Sequence, residues 1–210
     1  AYKAKYGVDM PTQLGQANLG DGDAVYVDLN GDGAITAEDQ HAIGFPDYPE
    51  MTFSLNVNMS YKNFDLTMLW NGATNVGRGL YWPYNPQFGQ FHDQGLIRWV
   101  YENSWTPETA ETATLPRLTI ANEVNNTPMS SVWMMDASYL RLRNLEIGYT
   151  INKVPFLAST SSMRIYANGT NLLTFSAFKG NDPENVGGGW QNTIRYPMMK
   201  VYNIGFRINF

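Results

Sequence analysis

Cysteine is absent from all 210 residues, so neither a disulfide nor a thiolate metal site holds this chain together, and its redox compartment stays open. Charge is scarce too: charged residues make up 16% of the chain against 14% aromatic, which is sparse for a soluble domain. A net charge of −5 offers no basic patch and excludes nucleic acid as a partner class. No run of about 18 apolar residues occurs, which excludes a membrane-spanning helix. It says nothing against a membrane barrel, whose alternating strands average to modest hydropathy. A charged-then-apolar signal segment is missing at Ala1, so the chain is expected to be processed or cut from a longer one. Catalytic signals are thin as well. His41 and His92 stand apart from any nucleophile or paired ligand pattern, and neither G-x-S-x-G nor a phosphate loop is present. Glu102, Glu108 and Glu111 read as a solvated loop rather than a glycosidase pair. No enzyme is expected.

What is present begins with a loop, "DLNGDGAITAEDQ", at residues 28–40. Calcium takes six to eight oxygens, and a twelve-residue loop supplies them from positions 1, 3, 5, 7, 9 and 12 with glycine at position 6. Those positions are Asp28, Asn30, Asp32, the Ala34 carbonyl, Thr36 and Asp39, with Gly33 at the turn. Position 12 is aspartate where an EF-hand has a glutamate, which makes the loop look like the dockerin type. The preceding "VYV" predicts a strand rather than a helix. Thr36 and Asp39 form a capping-box start from which "AEDQHAI" is expected to run about two helical turns to Gly44. The alternative is an acidic turn with no metal.

Downstream, hydrophobicity alternates. In "MTFSLNVNMSY", Met51, Phe53, Leu55, Val57, Met59 and Tyr61 share one face, with Thr52, Ser54, Asn56, Asn58 and Ser60 opposite. In "FDLTMLWNG", Phe64, Leu66, Met68 and Trp70 oppose Asp65, Thr67 and Asn71, and a two-residue turn at Lys62 and Asn63 would unite the two apolar faces. Further strands are predicted at 139–151, 162–175 and 198–210, each long enough to cross a bilayer at about 9 to 11 tilted residues. The run at 139–151 is irregular. Arg141 and Arg143 fall in phase with Leu145, Ile147, Tyr149 and Ile151, which requires either a stretch above the membrane or a bulge. Connections alternate between short (Lys62 and Asn63; 152–161) and long (74–137; 176–197), as in outer-membrane barrels.

The long connection contains "LYWPYNPQFGQFHDQG", in which Tyr81, Trp82, Tyr84, Phe88 and Phe91 are candidates for stacking on a ligand or covering a partner. Folding the loop on itself, or lining a membrane-interface girdle, would use the same residues. "QGLIRWVYENSW" predicts an amphipathic helix that anchors the loop through Trp99 and Trp105.

Taken in order, "VYVDLNGDGAITAEDQ", "WTPE", "PRL", "DASYLRLRNLEIGYT", "RIYANGTNLLTF", "GNDPE" and "YNIGFRINF" resemble the C-terminal part of SusC/RagA-type TonB-dependent outer-membrane transporters. The resemblance implies an all-β fold: the last strands of a transmembrane antiparallel barrel of about 22 strands with long extracellular loops. It implies residues 1–50 as an extracellular region holding the calcium loop, residues 51–210 as strands and loops, and a plug domain outside this chain. It implies uptake of oligosaccharide or peptide, a SusD-like lipoprotein partner, the TonB system, outer-membrane lipid around the wall, and Phe210 as a terminal insertion signal. The competing expectation is a secreted, calcium-stabilised β-sandwich that binds glycans.

Overall fold

The computed structural model describes residues 2–14, 19–79, 98–118, 123–153, 161–178, 182–184 and 198–209. The chain falls into two compact units. One is drawn from Ala1–Gly44 and Gly79–Met135, the other from Phe45–Arg78, Asp136–Val186 and Arg195–Phe210.

The second unit is built on one antiparallel sheet of five strands in sequential order: β1 (Met51–Tyr61), β2 (Phe64–Thr74), β3 (Tyr139–Asn152), β4 (Ser162–Ser176) and β5 (Val201–Asn209). Four of the five predicted strands lie where alternation puts them, and the last begins its ladder at Val201 rather than 198. The tight turn also holds. Tyr61 pairs with Phe64, and Lys62 takes a φ of 55° to make the reversal. Leu55 therefore pairs with Trp70, Val57 with Met68 and Met59 with Leu66, which joins the two apolar stripes into one face. At roughly 3.3 Å per residue an eleven-residue strand is about 36 Å long, enough to cross a hydrocarbon core at a steep tilt.

The irregularity in β3 is a bulge. Leu69 pairs with Asn144 but Trp70 pairs with Leu142, so Arg143 is the extra residue. Below it Leu145, Ile147 and Tyr149 sit opposite Met68, Leu66 and Phe64. Above it Leu142 and Leu140 take over the apolar phase and Arg141 crosses to the polar face beside Asn71. A matching irregularity in β4 inserts Asn171, at φ 54°, and Leu172. β5 continues the pattern, with Ile208, Phe206 and Ile204 opposite Met163, Ile165 and Ala167.

The apolar face is uncovered: Leu55 is 57%, Phe206 71% and Ile204 86% exposed. The unit's small core lies elsewhere, where Ala73, Val76 and Ala137 pack with Tyr139 and Phe178. By register Ala73 and Tyr139 belong to the polar phase, along with Asn71 and Arg141.

The first unit has a partly polar interior. Val100, Leu115 and Trp133 are buried together with Asn125 and Asn126. Asp23 accepts from the Gly20 amide at 2.9 Å, from Arg117 Nε and a terminal nitrogen at 2.6 and 2.9 Å, and from Asn126 Nδ2 at 2.8 Å. The Trp105 ring lies against Gly22, whose φ of +84° and missing Cβ both suit that approach. The helix foreseen over "QGLIRWVYENSW" is Arg98–Asn103 among the described residues, and Glu123–Asn126 adds one more turn. Among the described residues the 74–137 connection thus carries two short helices. No strand forms at "VYV". There Tyr26 N–H donates to Gln13 Oε1 at 2.8 Å and Ala24 N–H to Asn126 Oδ1 at 2.9 Å, so side-chain amides replace a ladder partner. Among the described residues no helix is long and apolar enough to cross a membrane, which leaves a β-barrel untouched.

One glycine tests the sheet's packing. Gly148 sits between Asp65 on β2 and Tyr166 on β4, and a Cβ there would collide with the Arg164 guanidinium as it crosses β3. Gly148→Ala should therefore displace Arg164 and cost about 1 to 3 kcal/mol, the range for disturbing charged hydrogen bonds. Denaturant unfolding of the protein in detergent checks this, and a stability equal to the parent's would show that the crossing is not constrained.

Candidate functional site

The predicted calcium loop is coiled on its own backbone. Asp28 accepts from the Gly31 and Gly33 amides at 2.6 and 2.8 Å, Asn30 Oδ1 from the Asp32 amide at 2.9 Å, and Asp32 Oδ1 from the Ala34 amide at 2.8 Å. Gly31 and Gly33 have φ of 80° and 86°, the left-handed region that glycine enters freely. Thr36 caps the turn, and Asp39 completes the capping box by accepting from the Thr36 amide at 2.7 Å and the Leu29 amide at 2.8 Å. These two bonds hold the Asp39 carboxyl below the usual carboxylate range. The expected two turns of helix shrink to a single 3-10 turn, Ala37–Asp39, because Gln40 is already extended at φ −87° and ψ 134°.

Thr12 lies alongside Ala34 in a parallel bridge, bonded to the Gly33 carbonyl and the Ile35 amide at 2.9 Å each, and neither bond uses the Ala34 carbonyl. Asp28, Asn30, Asp32, Ala34, Thr36 and Asp39 thus stay in one loop. The donors are carboxylate, amide, hydroxyl and carbonyl oxygens, a set suited to a hard cation, and a carboxylate oxygen that accepts one N–H keeps further lone-pair capacity. Among the described residues no three His, Cys, Asp or Glu side chains form a metal cluster by themselves. An ion here would rely on Asn30, Thr36 and the Ala34 carbonyl as much as on the acids. The aromatic candidates Tyr81, Trp82, Tyr84, Phe88 and Phe91 lie outside the described residues.

Two ionic clusters on the polar face of the sheet were not anticipated. In the first, Arg164 on β4 reaches across β3 to Asp65 on β2 and donates to Glu146 at 2.7 Å. Glu146 also accepts from Asn168 at 3.1 Å, and Asn203 on β5 donates to Asn168 at 3.0 Å. Four adjacent strands are tied together in one row. The signal was legible in principle: Asp65, Glu146 and Arg164 are charges in the polar phase of a chain with few charges.

The second cluster is more deeply buried. Arg141, 1% exposed in its side chain, donates to Asp182 at 2.6 Å and Glu184 at 3.1 Å, and Arg143 donates to Glu184 at 2.9 Å. Asn71 adds a bond to Glu184 at 3.2 Å. Arg141 Nε and Asn71 Oδ1 have no partner among the described residues. Removing one member of a buried pair strands its partner, at a cost of about 3 to 5 kcal/mol. Sequence reading could not assemble this cluster, since Asp182 and Glu184 are 41 to 43 residues from the arginines they meet.

The chain resembles known proteins in both sequence and fold. No family model matches it. It is 30% identical over 201 residues to TonB-dependent receptor P3 of Formosa agariphila, covering 90% of this chain and 19% of that receptor. TonB-dependent receptor SusC of Bacteroides thetaiotaomicron is 26% identical over 188 residues, which cover 89% of this chain and 17% of SusC. Among solved structures, the RagAB peptide importer in its open-open state matches with a TM-score of 0.61 at 24% identity, over 89% of this chain and 20% of that one. A second structure, of the RagAB peptide transporter, gives a TM-score of 0.62 at 23% identity over 95% of this chain and 21% of that one. At these identities the solved structures speak for the fold. The chain spans about a fifth of the length of the relatives it matches.

The Asp39 bonds make the loop sensitive to acid. Because its folded pKa lies below the unfolded value, the stabilisation is present above the ordinary carboxylate range and is lost as pH falls through the lowered pKa. Backbone protection at Leu29 and Thr36 should hold near about pH 6 and fall toward about pH 3, after correction for intrinsic exchange rates. Asp39→Asn should remove that pH dependence, and flat protection in the unaltered protein would sink the assignment.

Proposed function

Since the chain is a homologue of the SusC/RagA-type TonB-dependent receptors over nine-tenths of its length, we propose that it forms wall strands and outer loops of an outer-membrane β-barrel that imports nutrients. The observation that carries this reading is that the sheet is inside out. Its apolar face is open to the surroundings, while its polar face holds the charged clusters and, at one end, the unit's small core. A secreted glycan-binding sandwich would bury the apolar face against a second sheet. A barrel wall puts that face in lipid and the polar one toward the lumen.

The rest follows as one reading. The five strands belong to a barrel of about 22, with a plug supplied by other parts of the polypeptide. Residues 1–50 form an external region with the calcium loop, and residues 51–210 form strands and loops. A SusD-like lipoprotein closes over the mouth, the TonB system supplies energy, and the protein catalyses no reaction. The cargo is an oligosaccharide or a peptide. Phe210, the expected insertion signal, lies outside the described residues.

Two substitutions test the lipid face. In the full-length protein Leu55→Arg should cost about 2 to 4 kcal/mol near the midplane, and Asn56→Arg far less. Folded protein recovered from outer membranes is the readout, and equal losses from both would refute the assignment.

Calcium would have a local role. At a dissociation constant of about 0.1 to 1 mM, millimolar calcium stabilises the bound loop by about 0.4 to 1.4 kcal/mol. Asp28→Ala combined with Asp32→Ala, or a chelator, should increase protease cutting between residues 26 and 44 while the barrel stays folded. Cutting that ignores both treatments would leave the loop a metal-free turn.

A further inference from the structure

Two connections leave the same end of the sheet: the Lys62 and Asn63 turn between β1 and β2, and the reversal that begins at Lys153 after β3. They are neighbours there, because Phe64 pairs with Tyr149 and the Thr150 amide donates to the Asn63 carbonyl at 2.8 Å. Each puts a lysine where the backbone turns left-handed, with φ of 55° at Lys62 and 59° at Lys153. Asparagine suits that region and lysine does not. Elsewhere among the described residues the non-glycine positions with positive φ are asparagines, Asn75 and Asn171. At this end asparagines are present but one place off, Asn63 after Lys62 and Asn152 before Lys153, and neither takes the positive φ. Strain accepted twice in one place points to a use for the residues that bear it.

Both lysines are exposed, and among the described residues neither has a carboxylate partner. Lys62 Nζ lies 5.3 Å from the centre of the Tyr61 ring, within range of a cation–π contact. The Lys153 amide extends the ladder to the Ser161 carbonyl at 3.0 Å, so by parity Lys153 follows Tyr149 and Ile151 and ends the apolar stripe of β3 with a cation. Next to the lysines the apolar face carries Tyr61, Phe64 and Tyr149, the last two with ring centres 4.6 Å apart. Beside these rings a groove of about 590 Å³ is lined chiefly by Met59, Tyr61, Phe64, Leu66 and Ile147. A basic rim, an aromatic band and an apolar groove match, in that order, the phosphate, the ester zone and an acyl chain of a phospholipid.

We propose that this end of the sheet is a seat for an acidic phospholipid, its phosphate met by Lys62 and Lys153 and an acyl chain lying along the groove. The proposal rests on the barrel reading above, because only a wall set in lipid offers that groove to acyl chains. In barrels the short turns lie at the periplasmic surface, so the lipid belongs to that leaflet. Free phosphate would answer the lysines but leave the groove without an occupant. A lysine near a charged membrane surface contributes about fivefold to binding.

The test uses the full-length receptor in neutral detergent, titrated with phosphatidylglycerol, phosphatidylcholine or lipid A while native mass spectrometry counts the lipids retained. Lys62→Asn with Lys153→Asn removes both charges and gives each turn a residue better suited to its backbone, so the barrel should reach its normal level. Its affinity for phosphatidylglycerol should fall by about twenty-five-fold, or about fivefold for each lysine, with phosphatidylcholine unaffected. Lys62→Arg with Lys153→Arg should bind like the parent. An asparagine pair that holds phosphatidylglycerol as the parent does overturns the seat. So does a parent that prefers lipid A, or one that gives up the lipid to millimolar inorganic phosphate. If the asparagine pair fails to assemble, Lys153→Gln alone decides: a fall of about fivefold supports the seat, and an unchanged affinity overturns it. None of these readouts needs a nutrient or energy. A seat that works in a protein that imports nothing sinks the import reading alone, and tolerance of Leu55→Arg sinks the barrel reading.

Discussion

The pleat of a β-strand sends successive side chains to opposite sides, and the second unit depends on keeping that two-residue period in phase across all five strands. A slip of one residue in any strand would bring asparagines and arginines among the leucines and phenylalanines of the open face. The chain guards against this with short-range devices. A two-residue turn sets β1 against β2, and aromatic rings lie over facing glycines, Phe53 on Gly72 and Tyr166 on Gly205. Where β3 cannot hold the phase, one extra residue restores it.

With the apolar side turned out, cohesion among the strands on the other side falls to polar groups. Ladder hydrogen bonds provide the base, and the Arg164 and Arg141 clusters add cross-strand ties where an ordinary soluble domain would have a hydrocarbon core. The first unit reaches a similar balance by another route. Asp23 lies at 1% side-chain exposure with its charge met by Arg117, Asn126 and a backbone amide, while Asn125 and Asn126 provide the bonds that a strand partner would otherwise supply. The half-buried Tyr26 hydroxyl, its pKa pushed up to about 12 by desolvation, stays neutral and donates to the Asn125 carbonyl.

The legible part of this fold was the part governed by local period. Five strands, the turn at Lys62 and the break in phase near Arg143 could be read from alternation, because side-chain direction depends only on parity along the strand; that the break is a bulge came from the pairing. The capping box at Thr36 and Asp39 was legible for the same reason, as a fixed spacing of three residues. What stayed hidden was every feature joining distant residues. The side-chain partners of Arg141 and Asp23 lie 41 to 103 residues away, and no pattern near either predicts them. The two helical turns expected after Thr36 failed on tertiary grounds. The capping box formed as read, but Asp39 also bonds back to Leu29, tying the turn to the loop's beginning rather than to a continuing helix.

Arg164 has a consequence for how the sheet comes together. Its guanidinium starts on β4, passes over Gly148 on β3 and ends on Asp65 of β2, with 99 residues between the two ends of the bond. No hairpin alone can form that contact. β1 with β2, and β3 with β4, can each pair through neighbours in sequence, but the Arg164 bond to Asp65 exists only once β2 and β3 have docked in register across the long connection between them. Contacts of such separation carry the largest loop-closure entropy and form late. The arginine is therefore a checkpoint in time as well as a tie in space, locking an order of assembly in which local pairs come first and the joint between them is sealed last.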